Sequence, residues 1–202
     1  VVSPQTGRPT LAVKLPTTDA AAAAVDAERR MLQHVEAAVG DLGGVVPRSL
    51  GDVEHEGRRG LVTLALAGVP MTTAYLRRGH TACPRRVGRD FALVGRWLEG
   101  FQRATAGDRA PLDMDGGVVA RLRARFNGDP GLEADLERLG AIHARLGRSA
   151  VPRTAVHGDL WCGNVLVDGG AVTGVVDWEA GVPSGEPVRD LVRFAVMYAL
   201  FL

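Results

Sequence analysis

The sequence has little cysteine and no long apolar run, and each shortage narrows the possible classes of protein. Cys83 and Cys162, the two cysteines among 202 residues, lack a metal-binding spacing and do not suggest a disulfide scaffold. The apolar stretch 195–202 is too short to span a bilayer, so we interpret it as a buried helix. Two thiols without a disulfide scaffold fit a reducing compartment, and no signal peptide opens the sequence, so we expect a cytoplasmic protein. The short apolar run predicts no membrane contact.

An excess of one charge is also lacking. The formal net charge is +1, so no global field recruits nucleic acid or an anionic membrane. Hydrophobic residues make up 46% and charged residues 23%, which is ordinary for a globular protein large enough for one or two lobes. The sequence also contains no Walker A motif, zinc motif or Gly-x-Ser-x-Gly elbow, so nothing supports the enzyme classes that those motifs mark.

Alternating apolar residues predict that the first part of the chain is rich in strands. Leu11, Val13 and Leu15 lie on one face of a strand that Pro16 ends. A further strand is expected at residues 1–3. A helix should begin at capping residues 17–19 and run to about Val39, where Gly40 closes it. Two more strands, 49–55 and 61–66, should be joined by a turn at 56–60. Residues 67–70 break the pattern and are interpreted as a hinge.

After the hinge the apolar spacing becomes helical. The expected elements are a helix with its apolar stripe at 87–101, helices over 118–126, 132–146 and 191–202, and a hairpin of strands 164–167 and 172–176 around a Gly169-Gly170 turn. We therefore expect an α+β fold with two lobes. A small β-rich lobe would cover residues 1–66, and a mainly helical lobe would cover 71–202.

The strongest chemical signal is the run from His157 to Asn164, followed by a strand that ends at Asp177. A two-residue turn brings the two ends of the hairpin together, so the side chains of Asn164 and Asp177 should face one cleft. Two oxygen-bearing side chains suit Mg²⁺, which keeps waters and substrate phosphates as its other ligands. Asp159 lies on the loop beside them, where its carboxylate can accept the proton of an attacking hydroxyl.

The first helix carries a carboxylate that needs a partner. Glu28 shares the apolar stripe of Val25 and Leu32, and burying an unpaired charge is expensive. Lys14 is the only lysine in the sequence and lies in the first strand, which makes it the expected partner. For this pair taken by itself, a surface lysine and a solvated glutamate are the alternative.

Together these motifs resemble the protein-kinase signature. In that signature a catalytic-loop Asp is followed five residues later by a metal-binding Asn, and then by a metal-binding Asp at a strand end. Here Gly158 replaces the usual Arg, and Asp177-Trp178-Glu179 replaces Asp-Phe-Gly. Both departures look like the aminoglycoside phosphotransferase family, whose relatives include choline and fructosamine kinases. The resemblance extends from Leu11 to about Phe194.

This resemblance implies a role for each candidate residue. Asp159 would be the catalytic base, Asn164 and Asp177 would hold Mg²⁺, and Lys14, held by Glu28, would position the phosphates of ATP or GTP. The expected reaction moves the γ-phosphoryl group to a hydroxyl of a small molecule. Aminoglycosides, sugars, choline-like alcohols and macrolides all stay open as acceptors, and the oligomeric state is not predicted.

A non-catalytic function is the alternative. The Gly-rich loop expected before the Lys14 strand and the helices expected after the Asp190 helix are missing, so we interpret the chain as truncated at both ends. Such a chain could be an inactive kinase-like module that binds a nucleotide or a metabolite. Asp190 itself has two interpretations: it braces the catalytic loop, as in the family, or it is a helix-start carboxylate favoured by the helix dipole.

Overall fold

The computed structural model describes residues 1–39, 44–112, 118–126, 128–146 and 149–200. These residues form two compact units, Val1–Ala106 with Thr154–Leu202, and Gly107–Arg153. The structure is mixed α and β, which confirms the predicted fold class. The predicted lobe boundaries at residues 66 and 71 stay a prediction. Gly40, expected to close the first helix, lies outside the described residues.

The strands and helices follow each other along the chain. The strands are β1 (Leu11–Lys14), β2 (Ser49–His55), β3 (Arg58–Leu64), β4 (Val69–Pro70), β5 (Arg109–Pro111), β6 (Ala150–Pro152), β7 (Thr154–Val156), β8 (Val165–Asp168), β9 (Ala171–Val175) and β10 (Val182–Gly185). The helices are α1 (Asp19–Val39), α2 (Thr72–Tyr75), α3 (Pro84–Ala104), α4 (Val118–Arg125), α5 (Pro130–Leu146) and α6 (Val188–Leu200).

The first sheet has the strand order β1-β3-β2 and is antiparallel, with Lys14 opposite Leu61. Helix α1 begins where the Thr18 hydroxyl accepts the backbone N–H of Ala21, as a capping residue does. Its buried face combines apolar side chains with one carboxylate, that of Glu28. The buried apolar residues of α1 are Val25, Met31, Leu32 and Val35.

The turn between β2 and β3 is shorter than the sequence predicted. His55 pairs with Arg58, so Glu56 and Gly57 are the whole turn. Both have positive φ, 50° and 71°, which is the conformation of a two-residue hairpin turn that follows the strand twist. The predicted turn at 56–60 was therefore wrong. The predicted strand at residues 1–3 was also wrong, since only an isolated bridge between Val2 and Pro9 forms there.

A second hairpin carries the chemical motif. Strands β8 and β9 are antiparallel, with Val165 opposite Val175, and Gly169 and Gly170 form the turn with φ of 56° and 79°. This confirms the predicted hairpin and its turn. Strand β4 pairs with β8, so the segment interpreted as a hinge lies beside this hairpin.

Helix α6 is fixed against α2 and α3 by aromatic packing and buried hydrogen bonds. Phe91 of α3 packs edge-on against Phe194, with ring centroids 5.2 Å apart. The Tyr198 hydroxyl donates to Asp90 Oδ2 at 2.7 Å, and the Tyr75 hydroxyl donates to the carbonyl oxygen of Tyr198 at 2.7 Å. Burial, with a smaller contribution from the Asp90 carboxylate, raises the pKa of Tyr198, so this phenol stays a donor.

Three predicted helix boundaries were shifted. Helix α6 begins at Val188 instead of residue 191, and residues 201–202 of the prediction lie outside the described residues. In the second unit, α5 begins at Pro130, because the Asp129 carboxylate accepts the N–H groups of Gly131 and Leu132. Helix α4 ends at Arg125, one residue early. Among the described helices, none combines the length and the apolar character that crossing a membrane requires.

Candidate active site

Lys14 joins two parts of the first unit. Its Nζ atom lies 2.5 Å from Glu28 Oε2 on α1 and 2.5 Å from Asp177 Oδ1 at the end of β9. Glu28 is 3% exposed, so its carboxylate depends on this partner. Burial alone would lower the pKa of Lys14, but the hydrogen bonds to Asp177 and Glu28 outweigh it, and the pKa is raised. Lys14 is therefore a fixed positive charge.

The hairpin brings Asn164 next to Asp177. The backbone N–H of Val176 donates to the carbonyl oxygen of Asn164 at 2.9 Å, one pair beyond the Val165–Val175 register. Asp177 follows directly and adopts a left-handed conformation, with φ of 65°. This conformation is uncommon for residues other than glycine, although asparagine, aspartate and histidine adopt it more readily than the rest, and it is often found at functional sites.

The carboxylate of Asp159 is held from two sides. The Asn164 Nδ2 group donates to the backbone oxygen of Asp159 at 3.0 Å and to its Oδ2 atom at 3.3 Å. On the other side, Nε and Nη2 of Arg193 donate to Oδ1 at 3.0 and 2.5 Å. The carboxylate remains 34% exposed, so an incoming molecule can reach it.

His157 is a buried structural residue and not an exposed base. The ring Nε2 atom lies 2.8 Å from the carbonyl oxygen of Val176, and Nδ1 accepts the backbone N–H of Asp159 at 3.2 Å. Only a neutral ring with its proton on Nε2 satisfies both contacts. Burial lowers the pKa of His157, which keeps the ring neutral. The ring also packs against Trp178, with centroids 4.6 Å apart.

Asp190 fixes the backbone at the start of the loop from His157 to Asn164. It is 1% exposed, and its two oxygens accept the N–H groups of His157 and Gly158 at 2.7 and 2.9 Å. Both interpretations of Asp190 hold, since it braces the loop and also lies in the first turn of α6. Gly158 has φ of 82°, and a Cβ atom there would clash with the carbonyl oxygen of Ala180. An arginine cannot occupy this position without moving the loop.

The residues proposed for Mg²⁺ fit a hard cation. Asn164 and Asp177 offer only oxygen donors, and the Nδ2 end of Asn164 points toward Asp159. Asp177 is 46% exposed, which leaves room for waters and phosphates. Among the described residues no group of three or more His, Cys, Asp or Glu side chains converges. Two protein ligands are enough where substrate phosphates complete the shell.

The structure therefore brings the predicted residues together in two linked groups. Lys14, Glu28 and Asp177 form one ion-pair cluster, and Asp159 and Asn164 form a hydrogen-bonded pair. The hairpin register connects the groups. Sequence reasoning missed Arg193, although its spacing of three residues from Asp190 on a helix places both on one face.

The fold and this arrangement of side chains define a kinase-like phosphotransferase architecture. A model of the phosphotransferase enzyme family matches residues 2–200, and the chain belongs to that family. The resemblance drawn from the sequence is thereby confirmed. No curated protein is a significant match to the chain.

Several solved structures share the fold. A macrolide 2'-phosphotransferase, MphH from Brachybacterium faecium, has 21% sequence identity to this chain and a TM-score of 0.59. The match covers 93% of this chain and 63% of the MphH chain. A choline/ethanolamine kinase family protein from Mesorhizobium loti is 18% identical with a TM-score of 0.59, over 95% and 60%. A thermostable mutant of aminoglycoside phosphotransferase APH(4)-Ia, in a ternary complex with AMP-PNP and hygromycin B, is 17% identical with a TM-score of 0.51, over 81% and 59%. The chain thus spans about three fifths of the length of these proteins.

The ion pair of Lys14 with Glu28 generates a stability prediction. Lys14→Met should lower the free energy of unfolding by about 1–3 kcal/mol, because Glu28 is left buried without a counter-charge while Lys14 itself was partly exposed. Adding Glu28→Gln should restore part of that loss. Urea unfolding of the two single variants and the double variant measures the coupling. The control is Arg103→Met, which breaks an exposed pair with Glu99 and should cost less than about 0.5 kcal/mol. Additive losses would show that Lys14 and Glu28 do not interact.

The burial of neutral His157 generates a pH prediction. The unfolded chain protonates this ring near pH 6.5, whereas its folded pKa is lower, so the unfolded state binds more protons as the pH falls. The stability that His157 contributes is complete above about pH 6.5 and is lost in more acidic solution, by at most about 1.4 kcal/mol per pH unit. The difference in unfolding free energy between wild type and His157→Gln should therefore shrink between pH 7.5 and 5. If the unfolding free energies of wild type and His157→Gln differ by the same amount at every pH in that range, the burial of a neutral His157 is contradicted.

Proposed function

We propose that this protein transfers the γ-phosphoryl group of ATP or GTP to a hydroxyl of a small molecule. The observation that carries the proposal is the ion-pair cluster of Lys14, Glu28 and Asp177 beside the loop that presents Asp159. A cation for phosphates and a carboxylate for the acceptor hydroxyl are the two charges that in-line phosphoryl transfer needs. Membership of the phosphotransferase enzyme family supports the same reaction.

Lys14 would bind phosphate oxygens of the nucleotide. Its side chain is 35% exposed, and its ammonium group is held between Glu28 and Asp177, so it is oriented before a nucleotide arrives. Bound phosphates would replace part of its contact with Asp177. That change would free Asp177 Oδ1 for other ligands.

Asn164 and Asp177 would hold Mg²⁺. The ion, when bound, neutralises charge on the phosphates. Asn164 would then do two things at once, because its Nδ2 end orients Asp159 while its oxygen end is a ligand.

Asp159 would orient the acceptor hydroxyl and take its proton. As the acceptor oxygen forms its bond to the γ-phosphorus, the bond from that phosphorus to the bridging oxygen breaks and a nucleoside diphosphate leaves. The proton of the hydroxyl passes to a carboxylate oxygen of Asp159.

The acceptor is proposed to be a small polar molecule. The similar proteins are named for macrolides, for choline or ethanolamine, and for aminoglycosides, and one was crystallised with hygromycin B. The connection from Asp177 to α6 is short and contains strand β10, so it offers no long segment on which a protein substrate could dock.

Two free thiols fit the cytoplasmic location proposed for such an enzyme.

The decisive test of the reaction is Asp159→Asn. With ATP or GTP and a panel of a macrolide, hygromycin B, choline and ethanolamine, the variant should lose about 10²–10⁴-fold in kcat while its nucleotide Kd stays within about twofold. The control is Asp168→Asn, which removes an exposed carboxylate at the far end of β8 and should keep full activity. Wild-type turnover in Asp159→Asn contradicts the role. Nucleotide binding with neither acceptor turnover nor ATP hydrolysis favours the non-catalytic alternative.

The proposed metal ligands predict unequal effects on nucleotide binding. Asp177→Ala should remove the Mg²⁺ dependence of ATP affinity, a loss on the order of 10-fold or more, whereas Asn164→Ala should reduce it less. The reason is that a carboxylate brings a full charge to the cation and an amide oxygen brings only a dipole. Calorimetry with ATP, with and without Mg²⁺, measures both, and Asp168→Ala is the control. An unchanged Mg²⁺ dependence in Asp177→Ala would rule out the metal role.

A further inference from the structure

Arg193 lies beside the carboxylate to which the proposed function gives the acceptor proton. Two of its nitrogens, Nε and Nη2, donate to the same oxygen, Oδ1 of Asp159, at 3.0 and 2.5 Å. Arg193 is 45% exposed and Asp159 is 34% exposed. An exposed pair of this kind contributes little to stability, so its geometry matters more than its energy.

The helix that carries Arg193 also holds the loop that carries Asp159. Asp190, three residues earlier on α6, accepts the backbone N–H groups of His157 and Gly158. Residues three apart on a helix share a face, so α6 contacts three consecutive loop residues with two side chains of opposite charge. Asp190 fixes the backbone of the loop, and Arg193 fixes the direction of the next side chain.

The two carboxylate oxygens of Asp159 accept hydrogen bonds from different residues. An ionised carboxylate has about four lone-pair sites, two on each oxygen. Both hydrogen bonds from Arg193 end on Oδ1, whereas Oδ2 accepts one longer bond, at 3.3 Å, from Asn164. The remaining capacity to accept a hydrogen bond is therefore on Oδ2, the oxygen on the side of the proposed metal ligands.

We propose that Arg193 is a positioning residue that directs Oδ2 of Asp159, and not Oδ1, to the acceptor hydroxyl. The proposal rests on the proposed function. Without the guanidinium group, the carboxylate can rotate about its terminal bond, and either oxygen can face the acceptor. Oriented reacting groups are a large part of catalysis, so a rotating base lowers kcat without changing the nucleotide site.

The test compares Arg193→Met, Arg193→Lys and the control Arg189→Met, an exposed arginine one turn earlier on α6. The readouts are kcat with the acceptor panel, basal hydrolysis of ATP with water as acceptor, and the Kd of ATP. Arg193→Met should lower kcat about 10-fold, with the Kd of ATP within about twofold, because positioning supplies part of the 10²–10⁴-fold effect of a general base. Arg193→Lys should recover part of kcat, since an ammonium group can still donate to Oδ1, but without the two converging bonds of the guanidinium group. Arg189→Met should match the wild type.

A kinetic double-mutant cycle tests the contact without any added acceptor. The effects of Arg193→Met and Asp159→Asn on basal ATP hydrolysis should be non-additive, because Arg193 acts only through Asp159, and additive effects overturn the proposal. Wild-type kcat in Arg193→Met also overturns it, as does an equal loss of kcat and ATP affinity, which would indicate a general structural role. If no acceptor is turned over but the cycle shows coupling and basal hydrolysis falls in Arg193→Met, the acceptor panel has failed and the positioning role stands.

Discussion

The carboxylate of Glu28 is buried on α1, and the amino group of Lys14 is the charge that makes this burial possible. Helix α1 can pack against the first sheet with this face only if β1 presents its lysine at the same level. The same amino group contacts Asp177, so the sheet, the helix and the second hairpin are tied at one point. A single ion-pair cluster therefore sets the relative positions of the strand, helix and hairpin residues to which we assign the nucleotide.

A second constraint is the anchoring of the loop from His157 to Asn164. The buried carboxylate of Asp190 satisfies two backbone N–H groups at its start, and neutral His157 links it to the end of β9. Gly158 leaves no space for a side chain against Ala180. The loop is thus held by buried hydrogen bonds and packing, and these bonds are complete in the chain itself. The loop therefore needs no phosphorylated residue to hold its conformation.

The sequence predicted the elements best where pattern and local chemistry agreed. Helix α1 (Asp19–Val39) and the strand from Ser49 to His55 were placed correctly, because the cap of the helix and the apolar spacing of both elements pointed the same way. The errors lie at turns and helix ends. The hairpin turn at Glu56 was too long in the prediction, since positive φ at a glutamate has no sequence signature comparable with that of glycine.

The sequence by itself determined the family and the pairing of Lys14 with Glu28, because a lone lysine and a carboxylate on an apolar stripe leave few other partners. Only the tertiary structure decided which oxygen of Asp159 stays available and that Arg193 occupies the other. Spacing along a helix places a side chain on a face, but it does not say which loop packs there. That choice depends on the aromatic packing and buried hydrogen bonds that fix α6 against α2 and α3, and these contacts join residues far apart in the chain.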